Sequence, residues 1–566
     1  MKPVCEFVCF CECVHVCELA GCGAVCVCVC ACVRVCVCAC VCVCEGGTAH
    51  GYEWAPVYPA GFQVHQAVVK MFSTIDAHLF LFLFSVNLIP TTPTVEERLL
   101  QLQPPDGFVR SAVGKSRKRV FPVLHTEEPS PLSEAYGYCN TPNRTEQAWE
   151  GHSPADYKLL SVQVMIRHGD RYPLYSIPKT KRPAIDCTLS TSRRPSHPLL
   201  KAFISHMGKG GGANWESPLS SVPRVPNHSV CESGELTQTG VVQHLRNGQL
   251  LHHAYKQHRL LPSDWSPRQL WVETTGKSRT VQSGLALLYG FLPQFNWTGL
   301  VVRHQWNTLF CSSSCDCPAR NRYLEEEQRR QYRLRVANTQ LERTYVDMAR
   351  TLGLPTRQLR AANPIDSLLC HLCHNLSFPC AAASDGGGCL TVAQFAVIRQ
   401  QQLDDEVDRR RVGLYRKYAV LAMYPYLNRT ATRMERVAKG RGGEEAFVLS
   451  SAHDVTVAPL LSALGLEEAR FPRFAARMVF ELWRSPPVAR RAAKGGKARS
   501  REGEAFIRVL YNGEDVTFHT SFCRTHGRPP SQPLCPLTNF LSFVRRDMFR
   551  VVGATSYRDA CYKLPV

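Results

Sequence analysis

The segment MIRHGDRYP, residues 165–173, places a histidine between two arginines directly after an apolar run. Two guanidinium groups provide forked donors that match phosphate oxygens, and an imidazole between them can attack phosphorus. Gly169 allows a close approach of the backbone to a bound group. Arg167, His168 and Arg171 are therefore candidates for a phosphate site with a histidine nucleophile. The structural alternative is an arginine pair in a loop beside an exposed histidine.

Two further segments carry residues of related chemistry. ETTGKSRTVQSGLALLYG places Arg279 near the start of an apolar helix, and a helix N-terminus itself attracts anions. LSSAHDVTVAPLLSALGL places His453 and Asp454 at the end of a predicted strand. Together with Arg167 and Arg171, these residues make four cationic or cationisable groups around one nucleophile, plus one carboxylic acid. The three segments together predict a site that binds and cleaves a phosphate ester.

Strands followed by helices must position these residues. In YKLLSVQVMI, apolar and polar residues alternate in part and the segment ends in a continuous apolar run, as in an inner strand. EEAFVLSSAHD predicts a second strand before a helix that begins near Thr456, and ARMVFELW and AFIRVLYNG predict two adjacent strands. In open α/β sheets, ligands bind beyond the carboxyl ends of the strands. The candidate residues are therefore expected to face one crevice.

Helical patterns occupy much of the middle of the chain. LTQTGVVQHLRNGQLLHHAYKQH begins with a threonine that is a candidate N-cap, and YLEEEQRRQYRLRVANTQLERTYVDMARTLG predicts one charged amphipathic helix. Their apolar stripes are expected in the core, and their charges on a solvated face. The basic segment 484–501 is expected to form a mobile loop, with a polyanion-binding arm as the alternative.

The N-terminal quarter of the chain differs in composition from the rest. Residues 1–45 hold 15 of the 28 cysteines in a Cys-Val alternation that a translated TG repeat would produce, and we interpret them as an artefact of the gene model. A metal-binding tract and a β-aggregating segment are the alternatives.

Within residues 46–135, the apolar run at about 78–89 is too short to span a membrane. We interpret it as a partial signal anchor followed by a stem, with a signal-peptide core as the alternative, and residues 136–566 as the catalytic domain.

Cysteines and sequons indicate an oxidising compartment. Thirteen cysteines follow residue 45, which favours disulfides with at least one thiol unpaired. Five Asn-X-Ser/Thr sequons also favour a lumenal or secreted protein; they begin at Asn143, Asn227, Asn296, Asn375 and Asn428. The formal net charge of +20 weakly favours a polyanionic partner, and nucleic acid is not expected for a lumenal protein.

Two cysteine motifs could suggest a bound metal or haem. CHLCH, residues 370–374, matches a haem-attachment pattern, and CSSSCDC, residues 311–317, lies near His304 and could suggest zinc. Disulfides are the preferred interpretation of both in an oxidising compartment. No metal or cofactor is therefore expected.

The RHGDRYP box, the central Arg279 and the His453-Asp454 pair occur in an order that resembles the histidine acid phosphatases, in branch two of the histidine phosphatase superfamily. The resemblance covers roughly Tyr157 to the C-terminus. It implies an α/β, phosphoglycerate mutase-like fold, in which helices flank a core sheet and insertions between Pro173 and about Asn428 form a helical cap.

The resemblance also implies a role for each candidate residue. His168 resembles the nucleophile that becomes phosphohistidine, and Asp454 resembles the proton donor to the leaving group. The residues that resemble the phosphate clamp are Arg167, Arg171, Arg279 and His453. Water then hydrolyses the phosphoenzyme, without a metal or cofactor.

Longer segments resemble one group of this family more closely, among them RHGDRYPLYSIPKTKRP, VETTGKSRT and AANPIDSLLCHLCHNLSFPC. This implies a single-pass type II Golgi membrane enzyme, with its catalytic domain in the lumen, that removes the 2-phosphate from xylose in the linkage region of proteoglycans. Linkage-region glycosyltransferases are possible partners. The alternatives are an acid phosphatase of other phosphomonoesters, a lumenal binding protein with a vestigial site, and a phosphomutase.

Overall fold

The computed structural model describes three strands near the N-terminus and most of the chain from residue 130 onwards. The described residues are 10–19, 22–33, 35–43 and 130–562, without 143–147, 153, 155, 257, 259–265, 295, 306–308, 310–314, 382–387, 442–444, 468, 490–499, 502 and 525–532. The first strands, β1 Phe10–Leu19, β2 Cys22–Val33 and β3 Val35–Val43, pair antiparallel in that order. The interpretation of residues 1–45 as an artefact stays a prediction.

The predicted anchor at 78–89 and most of the basic segment 484–501 lie outside the described residues. A search of the described helices finds none with both the length and the apolar character needed to cross a membrane.

A mixed nine-stranded sheet organises the described residues beyond 130. Its strands are β4 Lys158–Arg167, β5 Asn214–Trp215, β6 Leu270–Thr274, β7 Val301–His304, β8 Phe447–Ala452, β9 Arg477–Arg484, β12 Ala505–Tyr511, β13 Glu514–Asp515 and β14 Cys535–Pro536, while β10 Val488–Ala489 and β11 Ser500–Arg501 pair separately. The order across the sheet is β13-β12-β9-β4-β8-β6-β7-β5, with β14 beside β12. The five strands from β4 to β5 in this order run parallel, and β9 and β12 run antiparallel to their neighbours.

Helices lie on both faces of the sheet and in a separate cluster. They are α1 Pro131–Cys139, α2 Leu200–Gly208, α3 Gln238–Lys256, α4 Ser278–Phe291, α5 Pro318–Ala337, α6 Thr339–Thr351, α7 Thr356–Ala361, α8 Pro364–Cys373, α9 Val392–Val412, α10 Leu414–Ala438, α11 Asp454–Ala463, α12 Leu537–Arg545 and α13 Tyr557–Tyr562. Short 3₁₀ turns occupy Leu219–Ser221, Pro267–Gln269, Thr517–His519 and Asp547–Val552.

The pleat of β4 explains why helices cover both faces. Val162, Val164 and Ile166 belong to the core formed with α2, α3 and α4, whereas Met165 belongs to the opposite core with α10, α11 and α12, because successive strand side chains point to opposite faces. Burying a side chain such as Ile166 contributes about 1.5–3 kcal/mol. The predicted inner strand, the second strand and the adjacent pair β9 and β12 are confirmed, and so is the α/β fold class.

A third core defines the helical cap. It joins α1 with α6, α7, α8 and α9, and it includes Tyr138, Tyr345, Leu368, Phe395 and Phe474. The cap contains fewer residues than the predicted interval between Pro173 and Asn428, because α3 and α4 of that interval pack against the sheet. The single charged helix predicted across residues 323–353 is wrong. Asn338 divides it, because its side-chain Oδ1 accepts a hydrogen bond from Leu341 N at 3.1 Å and caps α6.

Both cysteine motifs that could suggest haem or zinc contain disulfide-bonded cysteines. The described disulfides are Cys139–Cys373, Cys187–Cys231, Cys317–Cys561, Cys380–Cys389 and Cys523–Cys535. Cys315 is also disulfide-bonded, and Cys370 is a buried free thiol within the described residues. Cys187 and Cys231 lie close to Glu235, but their sulfur atoms are bonded to each other. The predicted disulfides are therefore confirmed.

Candidate active site

The parallel strands bring the predicted residues to one edge of the sheet. β8 lies between β4 and β6, with Arg167 beside Ala452 and Thr274 beside Ser451. His168, His453 and Thr275 directly follow these three strands, so they share the carboxyl edge where α/β sheets bind ligands. The His168 and His453 ring centroids are 5.5 Å apart. Residues separated by almost 300 positions in the sequence thus meet in one site.

A backbone contact fixes the tautomer of His168. Its Nδ1 lies 2.8 Å from the carbonyl oxygen of Gly169, and a carbonyl only accepts, so Nδ1 carries the proton of the neutral ring. The lone pair is therefore on Nε2. Burial lowers the pKa of His168 well below its ordinary value, and Arg167 and Arg279 lower it further. The imidazole is therefore neutral at neutral pH, and a neutral imidazole with a free lone pair can act as a nucleophile.

Gly169 is required for packing, whereas the expected close approach to a bound group stays a prediction. A Cβ at this position would lie 2.5 Å from the Cα of Gly240 in α3, so the glycine permits close packing of the loop on a helix. Gly169 N donates to Ser283 Oγ at 3.0 Å, and Asp170 N donates to Gln243 Oε1 at 2.8 Å. The loop after β4 is thereby tied to both α3 and α4.

Arg167 is fully buried and held on several sides. Its Nη1 donates to Pro472 O at 2.7 Å, and its Nη2 donates to the Tyr138 hydroxyl oxygen at 2.7 Å. Its guanidinium carbon lies 4.5 Å from the Phe474 ring centroid, where the face of the ring attracts the cation. Nη2 also lies 3.2 Å from Asp454 Oδ2. These contacts fix a positive charge beside the nucleophile.

Arg171 faces a carboxylate from the cap. Its Nη2 lies 2.9 Å from Asp366 Oδ1, and its Nη1 lies 3.2 Å from Asp366 Oδ2 and 3.0 Å from Tyr172 O. Burial opposes the charge of Arg171, but the two-point contact with Asp366 outweighs burial and raises the pKa. The guanidinium therefore stays charged in a buried position.

Arg279 is the second residue of α4 and completes the cationic group. Burial lowers its pKa to about 10, and the nearby charge of Arg171 also lowers it, so it remains positive at neutral pH. A Cβ on Gly234 would lie 3.1 Å from Arg279 Nη1 and 2.6 Å from Leu174 Cδ2. The absence of a side chain at position 234, where φ is +73°, leaves room for both side chains.

His453 is oriented by two threonines. Thr280 Oγ1 lies 2.7 Å from Lys277 O and donates to it, so it accepts from the Thr275 hydroxyl at 2.7 Å. The Thr275 oxygen then accepts from Nε2 of His453 at 2.9 Å. Burial lowers the pKa of His453 to about 3, and the charge of Arg279 also lowers it. The ring is therefore neutral before an anion binds.

Asp454 is the first residue of α11 and partly exposed. Its Oδ1 accepts from Val455 N at 2.8 Å. Burial alone would raise its pKa, but the charges of Arg167 and Arg171 outweigh burial and hold the pKa below its ordinary value. Asp454 is therefore ionised in the substrate-free site at neutral pH.

A second buried ion pair joins the same loop to the cap. His374, directly after α8, places its Nε2 2.7 Å from Asp170 Oδ2, and the Thr237 hydroxyl donates to the same oxygen at 2.5 Å. Burial opposes protonation of His374, but Asp170 outweighs it and raises the pKa. The disulfide Cys139–Cys373 fastens the same end of α8 to α1.

The structure brings together all six residues selected from the sequence: Arg167, His168, Arg171, Arg279, His453 and Asp454. The sequence motifs did not identify Tyr138, Asp366, His374 or Thr275 as supporting residues. Thr275 lies within VETTGKSRT, and Asp366 and His374 lie within AANPIDSLLCHLCHNLSFPC. These segments supported the family resemblance as whole segments but did not assign a role to single residues, because no spacing relates them to the RHGDRYP box.

The arrangement is suited to phosphoryl transfer. A neutral imidazole with a defined lone pair lies among three arginines, which can stabilise the negative charge spread over a transferring phosphoryl group. A carboxyl group lies on the same edge and can exchange a proton with the leaving oxygen. The fold and the site together are those of a phosphatase, with His168 as the candidate nucleophile.

Comparisons with known proteins agree with this class. The model of the family described as "Histidine phosphatase superfamily (branch 2)" matches residues 158–512. The chain therefore belongs to this family and is a hydrolase of phosphomonoesters.

Two relatives match over nearly their whole length. The zebrafish (Danio rerio) protein named 2-phosphoxylose phosphatase 1 is 62% identical over 492 residues, which cover 84% of this chain and 94% of the relative. The Homo sapiens protein of the same name is 55% identical over 489 residues, covering 86% of this chain and 98% of the relative. Among solved structures, the apo form of the Bifidobacterium longum multiple inositol polyphosphate phosphatase is 14% identical, with a TM-score of 0.45, and covers 73% of this chain and 98% of that chain.

Proposed function

We propose that this protein removes the 2-phosphate from xylose in the glycosaminoglycan-protein linkage region of proteoglycans, through a phosphohistidine at His168. The observation that carries the chemical part is the fixed Nε2 lone pair of His168 among three arginines. The printed name of the relatives at 55% and 62% identity supports 2-phosphoxylose as the substrate.

The first half of the reaction transfers the phosphoryl group. Nε2 of His168 attacks phosphorus, the N–P bond forms, and the bond from phosphorus to the xylose O2 breaks. Arg167, Arg171 and Arg279 stabilise the phosphoryl oxygens, because fixed donors in a buried site need little rearrangement during the reaction. The leaving alkoxide takes a proton from Asp454.

Proton transfer from Asp454 depends on the bound phosphate. In the substrate-free site the arginines hold its pKa low. Phosphate oxygens counter these charges, and a nearby negative charge raises the pKa of a carboxyl group. The same negative charge favours the protonated form of His453, which can then donate to the phosphate. Substrate binding therefore prepares the acid that the leaving group needs.

The second half regenerates the enzyme. A water molecule attacks phosphorus, its proton passes to the Asp454 carboxylate, and the N–P bond breaks. Inorganic phosphate and neutral His168 result, and Asp454 has regained its proton. The two halves use the same carboxyl group first as an acid and then as a base.

The proposed compartment is the Golgi lumen, with membrane attachment through an N-terminal anchor. Five described disulfides are typical of an oxidising compartment. The sequon residues Asn227, Asn296 and Asn375 are exposed, as a glycan requires. Residence there would place the enzyme beside linkage-region glycosyltransferases, which we propose as partners. A mass shift on enzymatic removal of N-glycans from the expressed chain would test whether it enters the secretory lumen, as this proposal requires.

The substrate is tested by measuring phosphate release from a linkage oligosaccharide that carries 2-phosphoxylose. The purified protein should release phosphate from this oligosaccharide with a kcat/KM well above that for p-nitrophenyl phosphate, and the His168→Ala variant should release none from either. Hydrolysis of p-nitrophenyl phosphate without release from the oligosaccharide would leave a phosphatase but overturn the proposed substrate.

A further inference from the structure

Asp366 is a cap residue whose described side-chain hydrogen bonds reach the loop that follows β4. Its two oxygens bind both terminal nitrogens of Arg171, and Oδ2 also accepts from Leu174 N at 2.6 Å. Asp366 lies in the first turn of α8, and its side chain is 17% exposed. A carboxylate from the cap thus engages the phosphate clamp directly.

The contacts of Arg171 determine which of its donors remain. A guanidinium has five N–H groups. The end of the group, formed by Nη1 and Nη2, is bound to Asp366, and the second proton of Nη1 is directed to Tyr172 O. Within the described residues, Nε of Arg171 is buried and has no hydrogen-bond partner. The edge formed by Nε and the second proton of Nη2 is therefore available to an anion.

Asp366 can impose this orientation because α8 is fixed at both ends. Its first turn contacts Arg171, and its last residue is joined by a disulfide to Cys139 in α1. His374, one residue later, is paired with Asp170. Leu368, Leu369 and Leu372 of α8 are buried in the cap core. The carboxylate therefore sits on a rigid element, as precise positioning requires.

We propose that Asp366 is a positioning residue that holds the terminal nitrogens of Arg171, so that its Nε–Nη2 edge faces the phosphate. The forked edge matches two phosphate oxygens. Asp366 itself does not touch the reacting atoms. This inference rests on the proposed phosphatase chemistry, but it does not depend on xylose as the leaving group.

A double-mutant cycle tests the proposal, with p-nitrophenyl phosphate as substrate and inorganic phosphate as inhibitor. Asp366→Ala should lower kcat/KM about 100-fold and weaken inhibition by inorganic phosphate, because a misplaced clamp binds both poorly. In the Arg171→Ala background, the same change should alter kcat/KM less than about twofold, because a residue that acts only through Arg171 has no effect once Arg171 is absent. Additive losses would overturn the proposal.

The variant Asp366→Asn distinguishes the effect of Asp366 on Arg171 from its effect on the backbone of the loop. An asparagine whose oxygen replaces Oδ2 keeps the bonds from Leu174 N and Arg171 Nη1, but its NH₂ group meets Nη2, so two donors face each other. This variant should lose about as much kcat/KM as Asp366→Ala. Activity equal to that of the unmodified protein would assign Asp366 to loop anchoring alone and overturn the proposal. If Asp366→Ala does not fold, the cycle is run with Asp366→Asn.

The matched control is Asp347→Ala, which removes an aspartate of the neighbouring cap helix α6 that pairs with the exposed Arg350 at 2.8 Å. It should leave kcat/KM within about twofold. Hydrolysis of p-nitrophenyl phosphate depends on the phosphate clamp and not on a xylose leaving group. A protein that hydrolyses it but not 2-phosphoxylose would therefore refute the proposed substrate, and the role of Asp366 could still be measured.

Discussion

The two halves of the site differ in what their charged groups do. The core half, at the carboxyl edge of the sheet, contains the six residues selected from the sequence, and most of their pKa values are shifted by burial beside other charges. The cap half consists of Tyr138, Asp366 and His374, which contact Arg167, Arg171 and Asp170 from outside. In the proposed mechanism the core half supplies the reacting and binding groups, whereas the cap half supplies acceptors and counter-charges around them. Clustered cations need such partners, because a buried charge is costly unless it is paired or hydrogen-bonded.

The largest effect that we predict, short of removing His168, concerns the acid of the core half. Asp454→Asn should lower kcat for a sugar phosphate about 10²–10⁴-fold, because an alkoxide leaves poorly without a proton. The loss for p-nitrophenyl phosphate should be much smaller, because p-nitrophenolate leaves without one. Steady-state kinetics with both substrates would check this. Equal losses on both substrates would contradict a proton-donor role and leave Asp454 a purely electrostatic residue.

The pH dependence follows from the directions of the pKa shifts in the core half. Burial and the neighbouring arginines hold the pKa of His168 well below that of an ordinary histidine, and the pKa of His453 is about 3, so mild acidification below neutral pH leaves the His168 ring neutral. The pKa of Asp454 is also lowered, so its protonated form grows scarcer as pH rises. We therefore expect kcat/KM to increase towards acidic pH, by up to about tenfold per unit.

The pH profile should be recorded for the unmodified protein and for Asp454→Asn with the same sugar phosphate, because substrate ionisation contributes equally to both. Asp454→Asn should have the shallower slope. A loss of activity below pH 6.5 in the unmodified protein would indicate an ordinary histidine pKa and contradict the buried, cation-flanked environment of His168.

Thr275→Val tests the hydrogen bond that orients His453. Valine has a similar shape but no hydroxyl, so Nε2 of the buried histidine loses its acceptor at 2.9 Å. An unsatisfied buried donor costs about 1–3 kcal/mol, and we expect kcat/KM to fall about tenfold. Thr555→Val, at an exposed threonine, is the control and should have no effect. An unchanged kcat/KM in Thr275→Val would show that the two-threonine relay does not position His453.

Tyr138→Phe is the corresponding change in the cap half and should have the smallest effect. It removes the hydroxyl that accepts from Arg167 at 2.7 Å but keeps the ring, whose centroid is 5.0 Å from the guanidinium carbon. One hydrogen bond to a charged group contributes about 1.5 kcal/mol, and part of it is replaced by water, so we expect a loss of about threefold to tenfold in kcat/KM. A loss as large as that of Asp454→Asn would erase the distinction between the two halves.

The core half was predictable because its chemistry is local in sequence. Arg167, His168 and Arg171 occupy one short box, and His453 and Asp454 are neighbours, each group directly after a strand that periodicity reveals. Parallel strands then place these groups on one edge. The fold class and the six candidate positions follow from such short-range patterns and from the family resemblance.

The cap half was not predictable, since its contacts join residues far apart in sequence. Asp366 lies 195 residues from Arg171, and His374 lies 204 residues from Asp170, with no periodicity between them. The low pKa of Asp454 in the substrate-free site was not predictable either, because the arginines that lower it approach the carboxyl group only in the folded chain. Long-range electrostatics is the part that sequence patterns do not encode.

The most direct test of the account is to trap the phosphoenzyme with a ³²P-labelled substrate and map the label. Phosphate should be attached to Nε2 of His168, because Nδ1 donates to Gly169 O, and the adduct should be labile in acid and stable in base. His168→Ala should carry no label and show no turnover. Label on another residue, attachment through Nδ1, or turnover by His168→Ala would contradict the central claim.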